Sequence, residues 1–335
     1  MDSPHVARSP HNKTGESSAC SLARGFEVGA TAYCRLVLCF AVETRRQRFG
    51  PHFIFDRAPK AWAVQISATI AAPRTGRLCR TLFAIGKSVS RLSANRTPLS
   101  YKPMCLDIAN QASLTTYAEG LPFSEFMRDA TDDHTRQLEL LQHAGEWLDA
   151  YHRTKVSETR IFQPKHAVSY YHDLSERIQS GDLKVAAKPR ILHGVERLSE
   201  LAAKYSDQQT VSAVQYGDFH MRNLIFNGTC LTGINISRNQ PAPVGHDIAR
   251  LLLDDTAILR SSKELENGQI IPADVIEAFF RGYRLVGPDD PSVQFLPYAK
   301  ILGSLVNVPR RRNERSKTNQ KTLERLRPIA QVAFA

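Results

Sequence analysis

Gln215-Tyr216-Gly217-Asp218-Phe219-His220-Met221-Arg222-Asn223 sets one carboxylate and one amide five residues apart. The run closes an apolar segment, Val211 to Tyr216, whose alternation suits a short strand. On its other side Leu224-Ile225-Phe226 and Cys230-Leu231 flank Asn227-Gly228-Thr229. Asn-Gly between apolar runs is a strong hairpin signal, because both residues accept positive φ. An Asp and an Asn at this spacing, on a loop between strands, can share a single metal–phosphate site, so the stretch points to phosphoryl transfer. The plainer alternative is a polar turn between two strands.

The flanking sequence has clean periodicity. Leu114 to Gly120 reads as a strand ending in a turn. Asp132 and Asp133 can cap a helix carrying Leu140, Leu141, Ala144, Trp147, Leu148 and Tyr151 at helical spacing. Trp147 there reads as core, and His152 at the helix end as a packed or capping histidine. A helix with Pro189 in its first turn puts Ile191, Leu192, Val195, Leu198 and Leu201 on one face. Asp247 precedes Ile248-Ala249-Arg250-Leu251 as a helix start, and helices are expected from Ala273 to Tyr283 and from Leu296 to Val306. The basic stretch from Arg310 to Arg327 reads as a surface helix, with Arg310 to Arg312 a solvated face or a phosphate contact.

The run Gly217-Asp218-Phe219-His220-x-x-Asn223-Leu224-Ile225-Phe226, a hairpin, then Gly233-Ile234-Asn235 and Asp247-Ile248-Ala249-Arg250 resembles the aminoglycoside phosphotransferase and choline kinase family. The resemblance covers about residues 112–330 and is most specific in the loop at 215–223. It implies an α+β, protein-kinase-like fold of two lobes. The C-lobe, residues 112–335, would be mostly helical, and residues 1–111 would hold a divergent or degraded N-lobe. The implied activity is ATP- and Mg2+-dependent transfer of phosphate to the hydroxyl of a small molecule such as an amino sugar, sugar or amino alcohol. By position, Asp218 would be the base at the substrate hydroxyl, His220 would brace the loop, and Asn223 would bind the metal. Thr116, Tyr117 and Ala118 would form the hinge that meets adenine, and Asp247 would hold the loop from behind by accepting backbone hydrogen bonds.

Two departures from the family pattern matter. Tyr216 stands where His is usual, at a structural position. Asn235 stands where the family has its second metal ligand, an Asp. Magnesium prefers anionic oxygen ligands, and Ile236-Ser237-Arg238 supplies no substitute carboxylate. Asn235 either still ligates the metal or marks a dead site, so a catalytically impaired pseudokinase that binds nucleotide or a partner is the alternative to an enzyme.

Charge separates the chain into two stretches. Residues 1–104 carry 16 Lys and Arg against 5 Asp and Glu, which is the whole of the net +11; the remainder is balanced. Four of the six cysteines lie in the same stretch, at spacings that match no zinc pattern, and read as reduced thiols. No Gly-rich phosphate loop is found: Gly25-Phe26-Glu27-Val28-Gly29 has the wrong spacing, and Lys60 and Lys87 are only candidates for a phosphate-binding lysine. Tyr33 to Val42 and Trp62 to Ile70 could be strands. The stretch reads as a divergent N-lobe, as a transit segment plus lobe, or as out-of-frame translation upstream of a kinase-like sequence. A nucleic-acid-binding role lacks an aromatic-interleaved or helix-turn-helix pattern to support it. The longest apolar run, Leu36 to Val42, is far short of the ~20 residues that span a bilayer. Without a secretory n-region and h-region, the cytoplasm is the expected location.

Overall fold

The computed structural model describes residues 118–236 and 240–335 in full. Before them it describes the backbone of five strands: β1 Arg48–Phe49, β2 His52–Ile54, β3 Trp62–Ile66, β4 Pro103–Asp107 and β5 Ala112–Thr116. These make one antiparallel sheet in the order β1-β2-β3-β5-β4, with a bulge in β4 between Pro103 and Cys105. Of the two apolar pieces expected as strands, Trp62–Ile66 is β3; Tyr33 to Val42 lies outside the described residues. Among the described residues the chain divides into two units between β5 and Ala118, and β5 pairs with β3 and β4 in the first of them.

The second unit is mostly helical. It opens with β6 (Leu121–Pro122) and α1 (Phe123–Asp129), followed by α2 (His134–Arg153), β7 (Val156–Ile161), α3 (Lys165–Ser180) and α4 (Lys188–Tyr205). Then come β8 (Gln209–Val214), β9 (Leu224–Phe226), β10 (Leu231–Gly233) and β11 (Pro241–Pro243). Helices α5 (Gly245–Leu259), α6 (Ala273–Gly282), α7 (Pro291–Val306) and α8 (Lys317–Ala333) complete it. Two small antiparallel sheets, β10-β9-β6 and β11-β8-β7, flank the loop at 215–223.

The elements form where local chemistry directs them. Asp133 caps α2 by accepting from the Arg136 amide at 2.9 Å. In the β9–β10 hairpin the Asn227 side chain accepts from the Thr229 and Cys230 amides, and Gly228 takes φ +94°. Helices α2 and α6 cross at two glycines: a Cβ on Gly145 would lie 2.2 Å from the Phe279 carbonyl oxygen, and one on Gly282 would lie 2.1 Å from that of Gln142. Only a bare backbone allows this approach. The core runs through Leu141, Leu148, Ile191, Leu198, Leu252, Phe279, Phe295, Leu302 and Phe334, all buried.

Several elements differ from their expected bounds. Strand β8 stops at Val214, because Gln215 and Tyr216 already bend into the loop. Helix α5 begins two residues before Asp247, which therefore sits in its first turn. The basic C-terminal stretch is a loop with a short turn at Arg312–Glu314, then α8, whose Leu326, Ile329 and Ala330 are buried. It is a packed amphipathic helix, not merely a surface one.

Candidate active site

The loop between β8 and β9 is fastened from behind. Asp247 Oδ2 accepts from the Tyr216 amide at 2.7 Å and Oδ1 from the Gly217 amide at 3.0 Å. Asp247 is itself buried, and its other neighbour is His152, whose Nε2 lies 3.2 Å from Oδ2; His152 Nδ1 is 2.9 Å from the Tyr283 hydroxyl. Burial alone would raise the Asp247 pKa, yet hydrogen bonds from His152 and the two amides hold it below the usual carboxylate range. An ionised carboxylate can only accept, so His152 Nε2 carries the proton. Burial pushes the Tyr283 hydroxyl pKa up, which keeps it a donor to Nδ1. One chain of hydrogen bonds thus runs from Tyr283, just past the end of α6, through α2 and α5 to the loop backbone.

The aromatic ring of Tyr216 fills the space beneath. It is fully buried against Trp147, Tyr151 and Phe219, and its hydroxyl lies between the Asn223 and Ile234 carbonyl oxygens, which share its one proton. A tyrosine at this position ties the loop to the hairpin's exit.

The face of the loop carries the four expected polar residues together. Asn223 Nδ2 donates to the Asp218 carbonyl oxygen at 2.8 Å and approaches Asp218 Oδ2 at 3.3 Å. This fixes the amide so that Asn223 Oδ1 points away from Asp218, towards Asn235. His220 Nδ1 accepts from the Arg222 amide at 3.2 Å, leaving Nε2 as the donor to Asp218 Oδ2, also at 3.2 Å. His220 thus bridges the Arg222 amide and the Asp218 carboxylate within the loop. Asp218 Oδ1 faces Arg250, whose Nη2 lies 3.3 Å away. The His220 hydrogen bond, opposed by partial burial and reinforced by Arg250, lowers the Asp218 pKa to about 2. In the sequence Arg250 stands out only as part of the Asp247-Ile248-Ala249-Arg250 motif. Its spacing was the available signal: positions 247, 250 and 254 share one face of α5, and the Asp254 carboxylate accepts from the Met221 amide at 3.3 Å.

Asn235 has φ +59°, a left-handed conformation that asparagine tolerates better than most residues. Its Nδ2 donates to Asn223 Oδ1 at 3.1 Å. The oxygen that would ligate a cation is therefore held by an amide donor. Presenting Asn235 Oδ1 instead would set two neutral oxygens side by side, and Asp218 is already shared between Arg250 and His220. Among the described residues no group of three or more His, Cys, Asp or Glu could hold a metal ion. The pair Asn223 and Asn235 offers only neutral amide oxygens, a poor fit to a hard divalent cation, which prefers anionic oxygen. Of the proposed hinge, Thr116 ends β5, Ala118 is half-buried in the second unit, and Tyr117 lies outside the described residues, as do 237–239.

The model of the phosphotransferase enzyme family matches residues 40–296. The chain belongs to that family. The match begins well inside the basic first third, so all five strands of the first sheet fall within it. No curated protein sequence matches significantly. Solved structures of this phosphotransferase fold do. An amicoumacin kinase in complex with AMP-PNP, Ca2+ and Ami is 12% identical, with a TM-score of 0.51 over 89% of this chain and 93% of that one. A glucosamine kinase is 13% identical, with a TM-score of 0.51 over 82% and 72%. A choline/ethanolamine kinase family protein from Mesorhizobium loti is 12% identical, with a TM-score of 0.51 over 82% and 87%. At these identities the likeness establishes the kinase-like α+β fold. Among the described residues no helix is long and apolar enough to cross a membrane.

Proposed function

We propose that this phosphotransferase-family chain transfers phosphate from ATP to the hydroxyl of a small molecule, with Asp218 at the acceptor oxygen. The observation that carries the reading is the Asp218–Asn223 pair, locked by the 2.8 Å side-chain bond and fastened behind through Asp247. The nucleotide in the amicoumacin kinase structure supports ATP as the donor. Such a donor suits a protein of the cytoplasm.

The chemistry asks little of Asp218 as a base. With a pKa of about 2 it is ionised at every physiological pH but holds a proton weakly. Its work is to accept the hydroxyl's hydrogen bond and aim the oxygen at phosphorus, taking the proton late, as the new bond forms. Positioning of this kind supplies much of the rate in phosphoryl transfer. Magnesium, which the family resemblance implies, would meet only neutral amide oxygens at Asn223 and Asn235, a poor fit, so no step is assigned to it there.

The Asn235 Nδ2–Asn223 Oδ1 contact favours a second reading, a pseudokinase that binds nucleotide or a partner. Thermal stabilisation by ATP, paired with ATP turnover over a panel of hydroxylated small molecules, separates the two. Turnover that vanishes in Asp218→Asn supports the transferase. Stabilisation without turnover supports the pseudokinase, and neither effect defeats both readings.

A further inference from the structure

We propose that Arg250 selects the acceptor, making this a site for hydroxyl compounds that bear an anionic oxygen group close to the accepting hydroxyl, and disfavouring amines. The inference rests on the transferase reading for its substrate class, and on the structure alone for its anion site.

Arg250 stands on α5 between Asp247 and Asp254, which both grip loop amides, so its backbone is fixed beside the loop while the guanidinium can swing between Asp218 and an incoming ligand. Its side chain is 39% exposed and that of Asp218 is 48% exposed, so both meet an incoming ligand. Among the described residues Asp218 is the sole ion-pair partner of Arg250, through one nitrogen at 3.3 Å. A guanidinium has five N–H donors in a planar fork that matches carboxylate and phosphate oxygens. The donors not spent on Asp218 have no other hydrogen-bond partner among the described residues.

Charge in the neighbourhood points the same way. Asp247 is buried and committed to amides and His152. Asn223 and Asn235 are neutral. The Asp218 carboxylate already accepts a hydrogen bond from His220 and pairs with the Arg250 guanidinium. An ammonium group approaching the acceptor position meets a carboxylate whose charge is offset and a guanidinium that repels it. A carboxylate or phosphate monoester meets free donors, and by drawing Arg250 towards itself it releases Asp218 Oδ1 to receive the hydroxyl proton's hydrogen bond. Recognition and activation of the acceptor are then coupled through one side chain.

The test uses the full chain. Binding of inorganic phosphate and of acetate is followed by isotope-edited NMR of arginine side-chain N–H groups in wild type, Arg250→Gln and Asp218→Asn. The expected result is a saturable shift of one arginine resonance in wild type. That shift is absent in Arg250→Gln and tightens several-fold in Asp218→Asn, where the competing carboxylate is gone. Phosphate acting alone or acetate acting alone identifies which anion the fork prefers. Equal binding in wild type and Arg250→Gln, or none in either wild type or Asp218→Asn, overturns the proposal. Turnover with glucosamine, glucose, glucuronate and glucose 6-phosphate then tests the acceptor class. Preference for an anionic sugar, lost in Arg250→Gln, supports it. Preference for glucosamine overturns it while leaving the transferase reading intact. Anion binding without turnover of any acceptor leaves the anion site standing and sinks the transferase reading.

Discussion

Asn235→Asp is the most informative single change in this protein. In the absence of metal it removes the 3.1 Å hydrogen bond to Asn223 Oδ1 and sets a carboxylate against that oxygen. The lost bond alone costs about 1 kcal/mol, roughly 2 °C in melting temperature for a chain of this size. The backbone is no obstacle, since Asp accepts the φ of +59° almost as well as Asn. With divalent cation the sign reverses. Oδ1 of Asn223 and the new carboxylate form an amide-plus-anion pair, and a cation at 100 times its dissociation constant adds about 2.7 kcal/mol. The variant should therefore melt below wild type without metal and above it with Mg2+ or Ca2+, while wild type barely responds to either. If transfer occurs, the added metal electrostatics contribute several kcal/mol to the transition state, a gain of about a hundredfold or more in turnover. Differential scanning fluorimetry with and without cation reads the first effect, and coupled ATP turnover the second. Asn235→Gly keeps the positive φ while losing the amide, and so isolates the cost of the hydrogen bond. Stabilisation of wild type by Mg2+ equal to that of the variant would refute the reasoning, because the two amides would then be sufficient ligands.

Asp247→Asn should destabilise the second unit by about 3 kcal/mol, because an amide can accept from only one side and leaves a buried N–H or His152 unpaired; urea denaturation measures it, and a loss below about 0.5 kcal/mol would mean the loop does not depend on this anchor. Asp218→Asn tests the depressed pKa. A carboxylate whose folded pKa is about 2, against about 3.9 unfolded, contributes stability that is present above pH ~4 and lost as pH falls through ~2. The difference in urea midpoint between wild type and the variant should stay constant from neutral pH to about pH 5 and shrink below pH 4; a difference that grows on acidification contradicts the His220 and Arg250 contacts. Gly233→Ala should cost about 1–3 kcal/mol, since the new Cβ would sit 2.6 Å from the Trp147 ring and 2.9 Å from that of Tyr216. A neutral effect on the melting temperature would show that the packing under the loop yields easily.

What the sequence disclosed was local, and what it withheld was distant. The Asn227-Gly228 hairpin, the Asp133 cap and the apolar face of α2 follow from neighbours within a few residues, and each appears in the structure. Strand β7, Val156 to Ile161, was missed because all six residues are exposed, so no alternation marks it. Helix α3 was missed although Tyr171, Leu174 and Ile178 repeat at helical spacing; it lacks a side-chain cap to announce its start. The part of His152 in the anchor rests on partners 95 and 131 residues away, a separation that no spacing rule reaches. Arg250 is an intermediate case. Once Asp247 is taken to grip the loop, helical geometry alone requires positions 250 and 254 to face the same loop. What it does not supply is the sign of the consequence. An arginine there offsets the negative charge that an acceptor amine needs, and Asn235, earlier in the chain and hydrogen-bonded to Asn223, supplies no anion to restore it. Arg250 and the neutral Asn235 act on the charge of the site in one direction, away from cations and towards anionic oxygen, so their electrostatic effects reinforce each other.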